Sequence, residues 1–145
     1  MVSSRFGFPL AFLFVFTGCH PNSPATVLAP LGRDLFQEPT NQASGPQYLS
    51  FADKLTATVF KRLRHDARYK IVPAGTPFTC PSRAGVGAQG YALSARVISV
   101  KGNSAIASIR CMCETLAYEV DYLLVRDAGE WKVDKRLSGA VIPTF

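Results

Sequence analysis

The segment YEVDYLLVRDAGEWKVDK, Tyr118–Lys135, decides the fold class of this sequence. In its first half, apolar side chains alternate with acidic or polar ones, and the apolar positions are Tyr118, Val120, Tyr122 and Leu124. A period of two predicts a strand that is buried on one face. Asp127-Ala128-Gly129 is a turn sequence, and Trp131 and Val133 begin a second alternating run. The segment therefore predicts an antiparallel hairpin with one apolar face.

Two earlier segments extend this hairpin into a longer meander. Residues 91–101 and 104–113 each alternate apolar and polar side chains, and Gly102-Asn103 between them is typical of a two-residue hairpin connection. The alternation of the first segment changes phase at Ile98, which predicts a β-bulge. The sequence thus predicts a four-stranded antiparallel sheet whose apolar face another element must cover.

The predicted cover is a helix over residues 48–66. Apolar side chains recur there at helical spacing, and Ser50 is the expected N-cap, three residues before Asp53. The apolar stripe consists of Ala52, Leu55, Thr56, Val59, Phe60 and Leu63. We therefore expect an α+β domain in which one N-terminal amphipathic helix packs on the curved meander.

A helix followed by a meander that ends in YEVDYLLVRDAGEWKVDK resembles the cystatin-like or NTF2-like fold over residues 48–138. The resemblance implies a curved sheet packed against the helix. Proteins of this fold include isomerase-like enzymes, small-molecule binders and non-catalytic lipoproteins. Because one fold serves many functions, the resemblance alone assigns none of them.

The N-terminus has the pattern of an export signal. Arg5 is followed by an apolar stretch at 6–16, which is shorter than the roughly 20 residues of a membrane span. Phe16-Thr17-Gly18-Cys19 resembles the lipobox of bacterial lipoproteins. That resemblance implies acylation of Cys19 with fatty acid such as palmitate, and anchoring of the mature chain in the lipid bilayer. His20 in place of an aspartate implies the outer membrane, with the protein facing the periplasm.

Three segments follow from these patterns. Residues 1–18 are the predicted signal peptide, and 19–47 are the lipidated cysteine with a proline-rich tether. Residues 48–145 are the predicted globular domain. A chain of 145 residues agrees with a single domain of ordinary size.

The remaining cysteines predict one disulfide bond. With Cys19 assigned to lipid, Cys80, Cys111 and Cys113 are left, and an oxidising compartment favours a bond from Cys80 to one of the other two. Cys113 is favoured, because the Gly102-Asn103 turn brings it near the start of the preceding strand. The Cys80–Cys111 pairing stays open as the alternative.

Basic side chains concentrate at the end of the predicted helix, where Lys61, Arg62, Arg64 and Arg68 lie. Cations there compensate the helix dipole. They are also candidates for binding an acidic partner or anionic headgroups. The formal net charge is +6, but an exported protein is not expected to bind nucleic acid.

The expected function is a non-catalytic protein-binding or assembly role in an envelope complex. Catalytic residues are not predicted, because the alternation points Glu119 and Asp121 away from the tyrosines. A metal ion is not predicted, because the Cys111-x-Cys113 spacing is shorter than that of paired zinc ligands. A cofactor is not predicted either, because the glycine motif at 85–90 leads into a strand rather than a helix. The alternative is a small-molecule-binding or isomerase-like protein with a pocket lined by Tyr118, Tyr122 and Trp131.

Overall fold

A mixed sheet of six strands forms the centre of the structure. The computed structural model describes residues 20–34, 47–79, 89–114 and 116–143. The strands are β1 (Gln47–Phe51), β2 (Tyr69–Ile71), β3 (Gly90–Lys101), β4 (Ser104–Cys113), β5 (Leu116–Asp127) and β6 (Glu130–Pro143). The helices are α1 (Pro24–Asp34), α2 (Lys54–Val59) and a 3₁₀ helix (Lys61–His65). The spatial order is β2-β1-β3-β4-β5-β6, in which β1 runs parallel to both neighbours and the other pairs are antiparallel.

The predicted fold, one helix on a four-stranded antiparallel meander of the NTF2 or cystatin type, is wrong. β3 to β6 do form an antiparallel meander, and the bulge expected at Ile98 lies between Val97 and Ser99. The sheet is nevertheless six-stranded and mixed, because β1 and β2 add parallel strands beside β3. In the described ranges there is no helix that spans 48–66.

The start of the predicted helix is a strand because its residues are buried on both faces. β1 lies between β2 and β3, and Leu49, Ser50 and Phe51 are all buried. Parallel strands in such a position lack a polar alternation, so their sequence shows no strand period. The helix begins only at Lys54, and Asp53 rather than Ser50 is its N-cap.

The tether predicted for residues 19–47 contains a helix that belongs to the core. Val27, Leu28 and Leu31 of α1 are fully buried in one cluster with residues of the sheet, such as Leu93 and Leu124. Pro24 is tolerated at the first position of α1, where a backbone N–H has no helical partner. The core therefore lies between one face of the sheet and the pair α1 and α2.

A buried threonine joins α2 to the sheet beyond the end of β1. The Ala95 backbone N–H of β3 donates to Oγ1 of Thr56 at 3.1 Å, and Thr56 is fully buried. The hydroxyl thus satisfies a strand amide that β1 is too short to pair.

Thr56→Val should lower the free energy of unfolding by about 1–3 kcal/mol, because it leaves that buried N–H without an acceptor. Thr56→Ser keeps the hydroxyl and should cost less than about 1 kcal/mol. Urea unfolding of both variants measures the difference. A valine variant as stable as the parent would show that the hydrogen bond contributes nothing.

Candidate functional site

An open groove lies where the two parallel strands β1 and β2 end. The chain leaves β1 at Phe51, passes through α2 and the 3₁₀ helix, and returns in β2, which ends at Ile71. The carboxyl ends of parallel strands are where sheets with helical crossovers commonly bind ligands. The groove has a volume of about 540 Å³. It is lined by Phe51, Ala52, Asp53, Lys54, Ala57, Arg64, Ile71, Val72, Pro73 and Ala74.

The groove combines an apolar floor with cationic side chains. The guanidinium carbon of Arg64 lies 5.4 Å from the centroid of the Phe51 ring, a cation–π distance that orients the charge over the floor. Asp53 also lines the groove, but its carboxylate accepts the Thr56 backbone N–H at 2.7 Å and caps α2. Lys54 adds a second exposed cation. The groove is therefore suited to an occupant with both apolar and acidic groups.

The structure places three of the four predicted basic residues on one exposed element. Lys61, Arg62 and Arg64 belong to the 3₁₀ helix, are exposed, and are called the basic patch below. Arg68 is instead held by Asp66, with its Nη2 at 2.6 Å from Oδ2. The hydrogen bond from Arg68 lowers the pKa of Asp66 below its ordinary value. Of the predicted cations, Arg64 is the one that lines the groove.

The predicted pocket residues do not meet. Tyr118 is 41% exposed near the start of β5, where its hydroxyl hydrogen bonds to Arg136. Trp131 is 4% exposed near the start of β6 and pairs across the hairpin with Arg126, at the opposite end of β5. Tyr122 lies between them and pairs with Arg136. Tyr118 and Trp131 are therefore eight residues apart along β5, too far to line one small pocket.

The cysteines are only partly described. Cys19 and Cys80 lie outside the described residues, so the lipid site and the Cys80 end of the predicted bond stay predictions. Cys113 takes part in a disulfide bond, while Cys111 is a free thiol. Burial raises the pKa of Cys111 to about 12, which disfavours the reactive thiolate at neutral pH.

A network of charged side chains that sequence reasoning missed crosses the opposite face of the sheet. Glu119 of β5 accepts hydrogen bonds from Ser108 and Arg110 on the adjacent strand β4 and from Arg96 on β3, one strand further away, at 2.8 to 2.9 Å. Burial acts to raise the pKa of Glu119, but these three hydrogen bonds outweigh it and leave the pKa below its ordinary value. The alternation in the sequence predicts polar side chains on one face of β4 and β5, but only the strand register brings Ser108, Arg110 and Glu119 together.

Acid should weaken the fold through this network. Because folding lowers the pKa of Glu119, its stabilising contribution is complete above the ordinary value of 4.5 and is lost as the pH falls through the folded-state value. Glu119→Gln should therefore reduce the loss of unfolding free energy between pH 6 and pH 3, measured by urea unfolding. Glu130→Gln, at an exposed glutamate, is the control. An acid dependence that Glu119→Gln leaves unchanged would contradict the assignment.

Comparison of the chain with protein-family models, curated proteins and solved structures yields no match. Within the described residues, no helix has the length and apolar character needed to cross a bilayer.

Proposed function

We propose that this chain is a lipid-anchored protein of the bacterial envelope whose folded part binds a partner protein and carries out no chemistry. The lipobox-like sequence at Cys19 is the basis for the anchor. The groove beside the basic patch is the single observation that carries the binding role.

The form of the groove favours a protein segment over a small molecule. Pockets for small ligands enclose most of the ligand surface, whereas this groove is open along the surface of α2 and β2. Its floor offers Phe51 and Ile71, and its edge offers Arg64. Aromatic and arginine side chains in such positions contribute most of the binding energy at many protein interfaces.

The positive charge beside the groove indicates which kind of protein segment would bind there. Arg64 has no carboxylate partner among the described residues, and Lys61 and Arg62 stand beside it on the same 3₁₀ helix. A partner segment that bears Asp or Glu next to an apolar side chain would complement both the cations and the floor. We therefore assign the groove to an acidic, partly apolar segment of another envelope protein.

Site-specific photocrosslinking in intact cells tests the binding role. A photoreactive residue at Ala57, which lines the groove, should give one defined adduct, whereas the same residue at exposed Thr58 should not. With the purified partner and the full chain in detergent, Arg64→Glu should weaken binding about thirtyfold or more. Lys101→Ala, at the exposed end of β3, is the control and should bind normally.

Charge reversal on the partner makes the test specific. Changing the crosslinked acidic residue of the partner to lysine should restore binding to Arg64→Glu. The groove would be refuted as the binding site if crosslinking gave the same yield of adduct from positions 57 and 58. It would also be refuted if Arg64→Glu left the affinity for the partner unchanged.

The anchor has its own test. Mass analysis of the mature N-terminus should find an acylated Cys19, and an unmodified or different first residue would refute the anchor without affecting the groove.

A further inference from the structure

A second, smaller cavity lies on the polar face of the sheet, opposite α1 and α2. It has a volume of about 130 Å³ and is lined by Ser94, Arg96, Ser108 and Arg110. Ser94 pairs across the strands with Arg110, and Arg96 pairs with Ser108, so hydroxyl and guanidinium groups alternate around it. All four side chains carry N–H or O–H donors, and no carboxylate of the adjacent strand β5 lines the cavity.

Glu119 fixes the two guanidinium groups beside this cavity. Its Oε1 accepts from Nη2 of Arg96 at 2.8 Å and from the Ser108 hydroxyl at 2.9 Å. Its Oε2 accepts from Nε of Arg110 at 2.9 Å. The Glu119 side chain is only 13% exposed, so these contacts hold both arginines in place before any ligand arrives. Preorganised donors bind an anion at a lower entropic cost than mobile ones.

The network retains both positive charge and unused donors. Arg96, Arg110 and Glu119 together carry a net charge of +1. Each guanidinium group has five N–H bonds, so the N–H groups that do not contact Glu119 can still donate to a ligand. The cavity has about four times the volume of a water molecule in the liquid. That space suits a small anion rather than a peptide.

From this arrangement we infer that the cavity binds a phosphate group. Donors come from the two guanidinium groups and the Ser94 hydroxyl, while the Ser108 hydroxyl already donates to Glu119. Several convergent donors match the several oxygens of a tetrahedral anion better than the two of a carboxylate. The inference is independent of the partner-binding groove, which lies on other elements.

One acidic side chain near the cavity reduces its attraction for an anion. Removing that charge should therefore strengthen phosphate binding, whereas removal of a donor should weaken it. Asp121 pairs with Ser108 across β4 and β5, and its Oδ1 is buried without a hydrogen-bond partner among the described residues. Asp121→Asn removes a negative charge beside the cavity, so it should tighten phosphate binding about twofold. A network with a purely structural role predicts no such gain.

Titration with inorganic phosphate at constant ionic strength measures the binding. In ¹H–¹⁵N spectra of the full chain in detergent, the side-chain Nε–H signals of Arg96 and Arg110 should shift along one saturable curve. Arg96→Gln should weaken binding at least fivefold, and Ser94→Ala, which leaves the Glu119 contacts intact, should weaken it about twofold. Arg126→Gln is the control, because Arg126 does not line the cavity and hydrogen bonds to Asn103 instead.

Lipid added to the detergent micelles identifies the source of the phosphate group. If phosphatidic acid in the micelles competes with inorganic phosphate at the same arginine signals, the ligand is a lipid headgroup; if it does not, the ligand is a soluble phosphate. Shifts that fail to saturate, or that are the same in Arg96→Gln and Ser94→Ala as in the parent, would overturn the inference.

Discussion

Gly32→Ala is expected to destabilise the folded chain by about 2–3 kcal/mol, as insertion of an atom into a packed contact does. A Cβ atom at this position would lie 1.9 Å from the backbone oxygen of Val59 and 2.8 Å from its carbonyl carbon. The obstacle is the backbone of α2, so no side-chain rotation can relieve it. The close approach of α1 and α2 thus depends on glycine at position 32.

The direction of this effect opposes helix propensity. Alanine is better than glycine inside a helix by about 1 kcal/mol, so propensity alone predicts that Gly32→Ala stabilises α1. Ala29→Gly, at an exposed position of the same helix, should cost about 1 kcal/mol by propensity. Urea unfolding of both variants separates the two contributions. A Gly32→Ala variant at least as stable as the parent would show that α1 does not pack against α2 in this way.

The antiparallel meander could be predicted from the sequence because one face of its strands is exposed to solvent. In β5, Glu119 and Asp121 alternate with Val120 and Tyr122, and the structure pairs this strand with β4 and β6 as the turns at 102–103 and 128–129 require. Local alternation and turn residues carry enough information for antiparallel neighbours. The same rule fails for β1, since burial on both faces removes the alternation.

The groove could not be predicted because it depends on long-range pairing. Phe51 and Ile71 are 20 positions apart, and they line one groove only because β1 and β2 run parallel with a crossover through α2. Its charge makes Arg64 a candidate binding residue, but no local pattern in the sequence shows that it lies over Phe51. The Glu119 network could not be predicted for the same reason. Arg110 and Glu119 are opposite each other only in the particular register that β4 and β5 adopt.

α1 was missed for a different physical reason. Its sequence, PATVLAPLGRD, contains two prolines and a glycine, and each of these residues argues against a helix interior. Burial of Val27, Leu28 and Leu31 overcomes that weak local preference, since three fully buried aliphatic side chains contribute about 5–9 kcal/mol of transfer free energy. The helix is therefore a product of tertiary packing, and its attachment to the sheet is open to a direct test.

Trp131→Ala is expected to lower the free energy of unfolding by about 3–5 kcal/mol, the usual cost of deleting a buried tryptophan side chain. Trp131 is 4% exposed within the core cluster that contains α1. Its indole N–H donates to the Pro21 carbonyl oxygen at 2.8 Å, and the guanidinium carbon of Arg126 lies 5.5 Å from the centroid of its ring. The Trp131 side chain thus holds the segment before α1 against β6, so Trp131→Ala removes both core packing and the hydrogen bond to Pro21.

Trp131→Phe separates these two contributions. Phenylalanine keeps an aromatic ring in the core but cannot donate to Pro21, so this variant should lose only about 1–2 kcal/mol. It should also increase proteolysis near residues 20–23, because that segment loses its hydrogen bond to β6. Leu137→Ala, at a side chain on β6 that is 44% exposed, should change stability by less than about 0.5 kcal/mol. Unchanged stability and proteolysis in Trp131→Phe would mean that the segment before α1 is not held to the sheet by the indole, and α1 would then depend on its buried aliphatic side chains alone.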